Sequence, residues 1–115
     1  MDWQEAKEQA IVLWESLRER ADTMDETELL VEVNAAFSLC DVAEAERRAH
    51  GEGLNNCRYC AFYQQFGGCR GISLQMTLRV VEGDRPGLRD LIDHFLRDLR
   101  ALDVTPPAAT ALPAA

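Results

Sequence analysis

The amino-acid sequence predicts an all-α protein, a small helical bundle with an irregular Cys/Gly-rich metal-binding loop between the second and the later helices. Two observations predict the bundle: apolar residues recur at helical spacing over several long segments, and capping residues precede these segments. A third predicts the loop, because three of the four cysteines lie between residues 51 and 71. The 115 residues fit one domain, and a hydrophobic fraction of 47% is sufficient for a core.

The first helix is predicted over residues 3–21, with Asp2 as its N-cap. Apolar residues at alternating spacings of three and four define its buried face. They are Trp3, Ala6, Ala10, Leu13 and Leu17, and Trp14 and Ala21 widen the stripe.

A second long helix is predicted over residues 25–50. Asp25, followed by Glu28, resembles a capping box, and Gly51 is a suitable residue to follow the helix end. Glu44 and Arg48 form a favourable i,i+4 pair. Cys40 lies on the apolar face of this helix, together with Leu30, Val33 and Phe37.

Residues 51–71 contain five of the seven glycines, and we expect an irregular loop there with one short helix over residues 58–66. Residues 72–81 alternate as a strand does, but their apolar positions also fit a helix buried on two faces. No other segment offers a partner strand, so we predict a helix. A strand would require two chains to pair across a dimer.

The last helix is predicted to follow the turn at residues 82–87, with Pro86 in its first helical turn. Its apolar stripe begins at Leu88, and the helix extends through about residue 103. The Pro/Ala-rich stretch 104–115 has no apolar period, and we expect a disordered tail. Residues 1–103 then form a single helical metal-binding domain.

The four cysteines are the candidate metal ligands. Cys57 and Cys60 form a C-x2-C pair, whose spacing lets two thiolates bind one ion. Cys69 follows among glycines that permit a tight turn, and the chain turn at residues 51–56 can bring Cys40 beside the pair. Together they supply four thiolates for a tetrahedral site. His50 is an alternative ligand in place of Cys40.

Residues next to the cysteines are expected to support this site. Arg58 and Arg70 each follow a cysteine and would offset the negative charge of the site. The aromatic residues Tyr59, Phe62, Tyr63 and Phe66 would shield the site from water. An exposed partner surface is the alternative interpretation of these aromatic residues.

Structural Zn²⁺ is the favoured cofactor, and an iron–sulfur cluster is the alternative. A cluster would imply electron transfer or redox sensing. A third hypothesis is a thiol oxidoreductase using Cys57 and Cys60, although the βαβ pattern of such enzymes is missing. The remaining alternative is that the four cysteines are ordinary buried residues that bind no ligand.

The remaining features suggest a small accessory or adaptor protein that binds a larger protein partner, with a homodimer left open. A net charge of −8 disfavours nucleic acids and anionic membranes as partners. We find no familiar catalytic motif and expect no enzymatic activity. The N-terminal residues lack the pattern of a secretory signal, so we expect a cytoplasmic protein, in which stable disulfides are rare.

Overall fold

The computed structural model describes residues 1–35, 38–51, 56–67 and 69–104, without the side chain of Arg70. Within these ranges the chain forms six α-helices and one 3-10 turn, and no strand. They are α1 (Trp3–Arg20), α2 (Glu26–Asn34), α3 (Ser38–His50), the 3-10 turn (Asn56–Tyr59), α4 (Ala61–Phe66), α5 (Arg70–Val81) and α6 (Arg85–Ala101). The predicted all-α class is confirmed. The predicted tail falls almost entirely outside the described residues.

Helix α1 begins as predicted, because the Asp2 carboxylate accepts a hydrogen bond from the Glu5 N–H at 2.8 Å. Its buried face consists of Ala6, Ala10, Trp14 and Leu17. Leu13, which the sequence placed in the stripe, is instead 37% exposed. The buried face of α1 is therefore centred closer to Trp14 than the apolar spacing in the sequence predicted.

The single helix predicted over residues 25–50 is wrong, because the chain breaks between α2 and α3. Ala35 has an extended backbone with ψ of 141°, and the Asn34 side chain donates to the Leu30 carbonyl at 2.8 Å. Beyond the break, Ser38 donates to the Ala6 carbonyl at 2.6 Å. The break lets α2 pack on α5 while α3 packs on α1, which one straight helix cannot do.

The ends of α2 and α3 follow the predicted capping signals. Asp25 caps α2 by accepting from the Glu28 N–H at 2.7 Å, and Gly51 follows α3 with a positive φ of 68°. Glu44 contacts Arg48 at 3.1 Å, as the spacing predicted, and also contacts Arg47 at 2.5 Å.

The ambiguous segment 72–81 is helical, within α5. Met76 and Val80 are fully or almost fully buried against the core, whereas Leu74 and Leu78 are 62% and 52% exposed. The prediction of a helix is confirmed, but the helix is buried on one face rather than two. The strand-like alternation of apolar residues in this segment arises because the exposed face of α5 also carries apolar residues, such as Leu74 and Leu78.

The core forms around α1 and α6. The Trp14 and Phe95 rings meet edge to face, 5.0 Å apart, and Phe62 of α4 packs on Phe95 at 5.1 Å. Asp84 caps α6 by accepting from the Gly87 N–H, and Pro86 lies in the first turn of this helix, as the sequence predicted. Among the described residues, no helix has the length and apolar character needed to cross a membrane.

The chain after α6 is fixed to α4 by a reciprocal pair of hydrogen bonds. The Gln65 side-chain amide donates to the Asp103 carbonyl at 2.6 Å, and the Asp103 N–H donates back to the Gln65 amide oxygen at 2.8 Å. Lys7 of α1 donates to the Leu102 carbonyl at 2.9 Å. The short helix α4 is thereby attached to the end of the bundle on its polar side as well as through Phe62.

Candidate metal centre

The four cysteines lie on four separate segments and line one cavity. Cys40 is on α3, Cys57 is in the 3-10 turn, and Cys60 and Cys69 directly precede α4 and α5. All four are partly buried, and none forms a disulfide. Their common cavity has a volume of about 20 Å³. The fold therefore brings together the residues that the sequence singled out, including the distant Cys40.

Local backbone geometry explains why Cys57, Cys60 and Cys69 lie where they do. The Cys60 N–H donates to the Cys57 carbonyl at 3.1 Å, which closes the turn between the C-x2-C cysteines. The Cys60 carbonyl then accepts from Gln64 at 3.0 Å in the first turn of α4, and the Cys69 carbonyl accepts from Ser73 at 2.9 Å in the first turn of α5. Each of these two cysteines is thus held at the start of a helix.

Packing between α3 and the 3-10 turn brings Cys40 to the other three cysteines. Tyr59 of the turn is 3% exposed, and its ring lies 5.2 Å from the ring of His50 at the end of α3. This aromatic contact holds the 3-10 turn against the end of α3. Residues 52–55, which join the two, lie outside the described part of the chain.

The short helix in this region begins later than predicted. Its expected start at residue 58 falls in the 3-10 turn, and Cys60 has an extended backbone before α4 begins at Ala61. This extended residue separates two helical turns and directs Phe62, which is 1% exposed, into the core. Phe62 also lines the cysteine cavity, as expected of a shielding residue.

Burial raises the pKa of the Cys60 thiol from its ordinary value of 9.0 to about 11. The nearby Tyr63 and Phe62 N–H groups favour the thiolate and partly oppose this shift, although the side chain makes no capping hydrogen bond. Negative charge on Cys40 and Cys69 raises the pKa further, which places those sulfurs near Cys60. A nucleophilic cysteine needs the opposite shift, so this environment does not suit Cys60 to that role.

The donor set of the site, but not the arrangement of its thiols, is that of a single thiophilic ion. A cavity of about 20 Å³ has room for roughly one water-sized occupant, and four sulfur donors are a standard ligand set for Zn²⁺. However, no group of three or more His, Cys, Asp or Glu side chains within the described ranges is arranged to hold a metal ion. The thiols share a cavity but do not surround a common centre at ligating distance.

Of the other predicted site residues, Phe62 lies at the cysteine cavity, and His50 and Arg58 are not among its described lining residues. The His50 ring instead contacts Tyr59. The Arg58 backbone carbonyl accepts from Gln64 at 3.2 Å, and its side chain is partly exposed. The Arg70 side chain lies outside the described atoms, so its predicted role is not tested.

Sequence reasoning did not identify two further residues that line the cysteine cavity, Ala43 and Asn56. Ala43 lies one helical turn after Cys40, so the helical period already placed it on the same face of α3. Asn56 directly precedes Cys57, but only the turn geometry shows that it reaches the cavity. Tyr63, one of the aromatic residues expected to shield the cysteines, also lines the cavity.

Comparisons with protein families, with curated proteins and with solved structures give no significant match to this chain.

Proposed function

We propose that this protein is a small metal-binding accessory protein in which Cys40, Cys57, Cys60 and Cys69 hold one structural Zn²⁺ ion. The observation that carries the proposal is the meeting of four cysteines, from four segments spread over 30 residues of sequence, around one ion-sized cavity. Four buried core cysteines without a ligand would have no reason to converge in this way.

Binding would require the thiols to move closer together than they lie in the structure. In a tetrahedral site each Zn–S distance is about 2.3 Å, so neighbouring sulfurs come within about 3.8 Å of one another. Cys57 lies in the 3-10 turn, and Cys60 and Cys69 directly precede α4 and α5, so rotation of their side chains can bring the thiols together without moving the helices. We infer that the ion would join α3 to the starts of α4 and α5 and stabilise this end of the bundle.

The spacing of the cysteines favours zinc over an iron–sulfur cluster. One C-x2-C pair with two single cysteines matches neither of the common ferredoxin patterns. The two cofactors are readily distinguished, because zinc thiolates are colourless and clusters absorb visible light.

Anaerobic purification, followed by metal analysis and a visible spectrum, tests this proposal. We expect one zinc per chain, no visible absorbance, and a Co²⁺-substituted protein with the intense thiolate-to-metal bands of a tetrahedral site. Each single Cys→Ser variant should lose metal, while Ser16→Ala on α1 serves as a matched control. A metal-free protein that also fails to bind added Zn²⁺ or Co²⁺ would contradict the proposal.

An accessory role also requires a surface for a larger protein partner. Leu74, Leu78 and Val81 are 62%, 52% and 60% exposed and lie on one face of α5. We call these three residues the α5 stripe and propose it as the partner-binding surface, since exposed apolar stripes commonly mark interaction sites. Pairing of two copies through the same stripe is the alternative outcome, which sedimentation velocity distinguishes.

A further inference from the structure

The α5 stripe lies beside helix α2, which runs antiparallel to α5. The Ser73 hydroxyl, near the start of α5, donates to the Val33 carbonyl, near the end of α2, at 3.0 Å. At the other end of the pair, Arg85 follows α5 and donates to the Met24 carbonyl, just before α2, at 2.7 Å. The outer faces of the two helices therefore form one continuous surface.

Val31 of α2 extends the apolar part of this surface. The Asn34 side chain donates to the Thr77 hydroxyl at 3.1 Å, so this pair lies where the two helices meet. Val31 lies three residues before Asn34 and shares its helix face, as Leu74 does with Thr77. Val31 is 65% exposed. We call Val31 and the α5 stripe together the α2–α5 patch.

The spacing of the α5 stripe indicates that its partner is a helix. Leu74, Leu78 and Val81 follow one another at intervals of four and three residues, which is the alternation by which one helix packs along another. An extended peptide would instead pair with the edge of a sheet, and the described part of the chain contains no strand. An amphipathic helix on an apolar face is therefore the mode that fits.

The charge beside the α2–α5 patch is negative and is not neutralised within the described residues. Glu28 lies three residues before Val31 and four before Glu32, so the two carboxylates share a face of α2 beside the patch. None of the ion pairs among the described residues includes either of them. The sequence has no Lys or Arg between residues 21 and 46. By contrast, carboxylates between α1 and α6 pair with arginines, as Glu15 does with Arg100 at 2.7 Å.

We propose that the α2–α5 patch binds an amphipathic helix of a partner protein, in which Lys or Arg residues flank an apolar stripe. This inference rests on the proposed role of the α5 stripe and adds the shape and charge of the partner. The cations of the partner would lie opposite Glu28 and Glu32 and relieve the repulsion between them. A second copy of the chain fits less well, because a symmetric pair presents the same carboxylates from both sides.

Three helical peptides test the proposal with the full-length protein. Each has about 18 residues, which is long enough to form a helix and to cover α5. In the lysine peptide, lysines flank leucines at alternating spacings of three and four. The glutamate peptide has glutamate in place of each lysine. The scattered peptide has the composition of the lysine peptide, with its leucines distributed over all faces. Fluorescence anisotropy measures binding at low and high salt.

We expect the lysine peptide to bind about tenfold more tightly than the glutamate peptide at low salt, because several weak surface ion pairs become repulsive contacts in the latter. This difference should shrink at high salt. The scattered peptide should also bind about tenfold more weakly than the lysine peptide, since it cannot bury its leucines together. Equal affinity for the lysine and glutamate peptides would overturn the assigned charge of the partner. Equal affinity for the lysine and scattered peptides, or no binding of any peptide, would overturn the proposal.

Variants of the acidic residues locate the charge contact. Glu28→Gln combined with Glu32→Gln should weaken binding of the lysine peptide about threefold. Glu8→Gln combined with Glu19→Gln removes the same charge from exposed positions of α1 and should have a smaller effect. Equal weakening by the two double variants would reflect net charge and overturn the placement of the partner beside α2.

Variants of the stripe and the metal content of each sample separate this proposal from the zinc site. Leu74→Gln combined with Leu78→Gln should abolish saturable binding of the lysine peptide, and retained binding in that variant would overturn the α2–α5 patch as the surface. Tight binding of the lysine peptide by a protein without zinc would contradict the zinc proposal and support this one. If the double variant does not fold, the three peptides with the unmodified protein decide the question.

Discussion

Cys40 and Cys69 lie in the wall between two neighbouring cavities, one lined by all four cysteines and one lined mainly by apolar side chains. Cys40 comes from α3 and Cys69 from the start of α5, so both cavities depend on how these two helices are positioned. An ion that draws the two thiols together would therefore also change the wall of the apolar cavity.

The first prediction concerns zinc and stability. If Zn²⁺ binds only the folded protein, a free concentration of one thousand times the dissociation constant should raise the free energy of unfolding by about 4 kcal/mol. For a domain of this size, such an increase corresponds to a rise in Tm of more than about 10 °C. Calorimetry of chelated and reloaded protein measures it. A Tm that is the same with and without Zn²⁺ would contradict the structural role of the ion.

The second prediction concerns the aromatic core. Phe95 is 2% exposed and contacts both Trp14 and Phe62. Replacing Phe95 with Ala should lower the free energy of unfolding by about 3–5 kcal/mol, because the substitution leaves a cavity among rings that cannot collapse into it. Val12→Ala, at a 65% exposed position of α1, should change it by less than about 0.5 kcal/mol. Urea denaturation of the three proteins decides this, and similar midpoints for both variants would contradict it.

The third prediction concerns pH and Glu44. The hydrogen bond from Arg47 lowers the pKa of Glu44 to about 2 from its ordinary value of 4.5, with a further contribution from Arg48. Because the folded-state pKa is the lower one, this carboxylate stabilises the protein above about pH 4.5, and the contribution is lost as the pH falls towards 2. Glu44→Gln should therefore make urea midpoints less dependent on pH in this range.

Metal-free protein should be used in that experiment, since acid also releases thiolate-bound ions. Glu19→Gln on α1 is the control, because it removes the same formal charge from an exposed position. A pH dependence that is altered equally by both substitutions would reflect net charge and not the contact between Glu44 and Arg47.

The fourth prediction concerns the α5 stripe. Leu74→Gln combined with Leu78→Gln should leave metal content unchanged and alter the free energy of unfolding by less than about 1 kcal/mol, because both side chains are more than half exposed. The double variant should also bind less of a dye that fluoresces on apolar surfaces. Val12→Gln tests whether any exposed apolar residue has the same effect. Dye binding that is equally reduced by the control would argue against a distinct surface on α5.

Much of this fold could be predicted from sequence, because capping residues and apolar spacing act locally. Asp2 and Asp25 cap the first turns of α1 and α2. Each carboxylate accepts a hydrogen bond from the backbone N–H three residues later in the sequence. The break near Ala35 could not be predicted in this way. It depends on contacts with distant residues, such as the bond from Ser38 to the Ala6 carbonyl, which the apolar spacing of one segment does not encode.

The convergence of Cys40 with the C-x2-C pair was predicted from the pattern of cysteines and glycines, and the structure places all four at one cavity. The apolar cavity was not predicted. Trp14, Ile72 and Met76 each have the spacing of ordinary core residues, and a periodic pattern shows that a side chain is buried but not how completely its neighbours fill the surrounding space.

The reciprocal bonds between Gln65 and Asp103 join the chain after α6 to the short helix that follows Cys60. Both residues are exposed, so exchange of the Asp103 N–H with heavy water would follow local opening of this one pair. Gln65→Ala should therefore accelerate that exchange and leave the amides of the buried core unaffected.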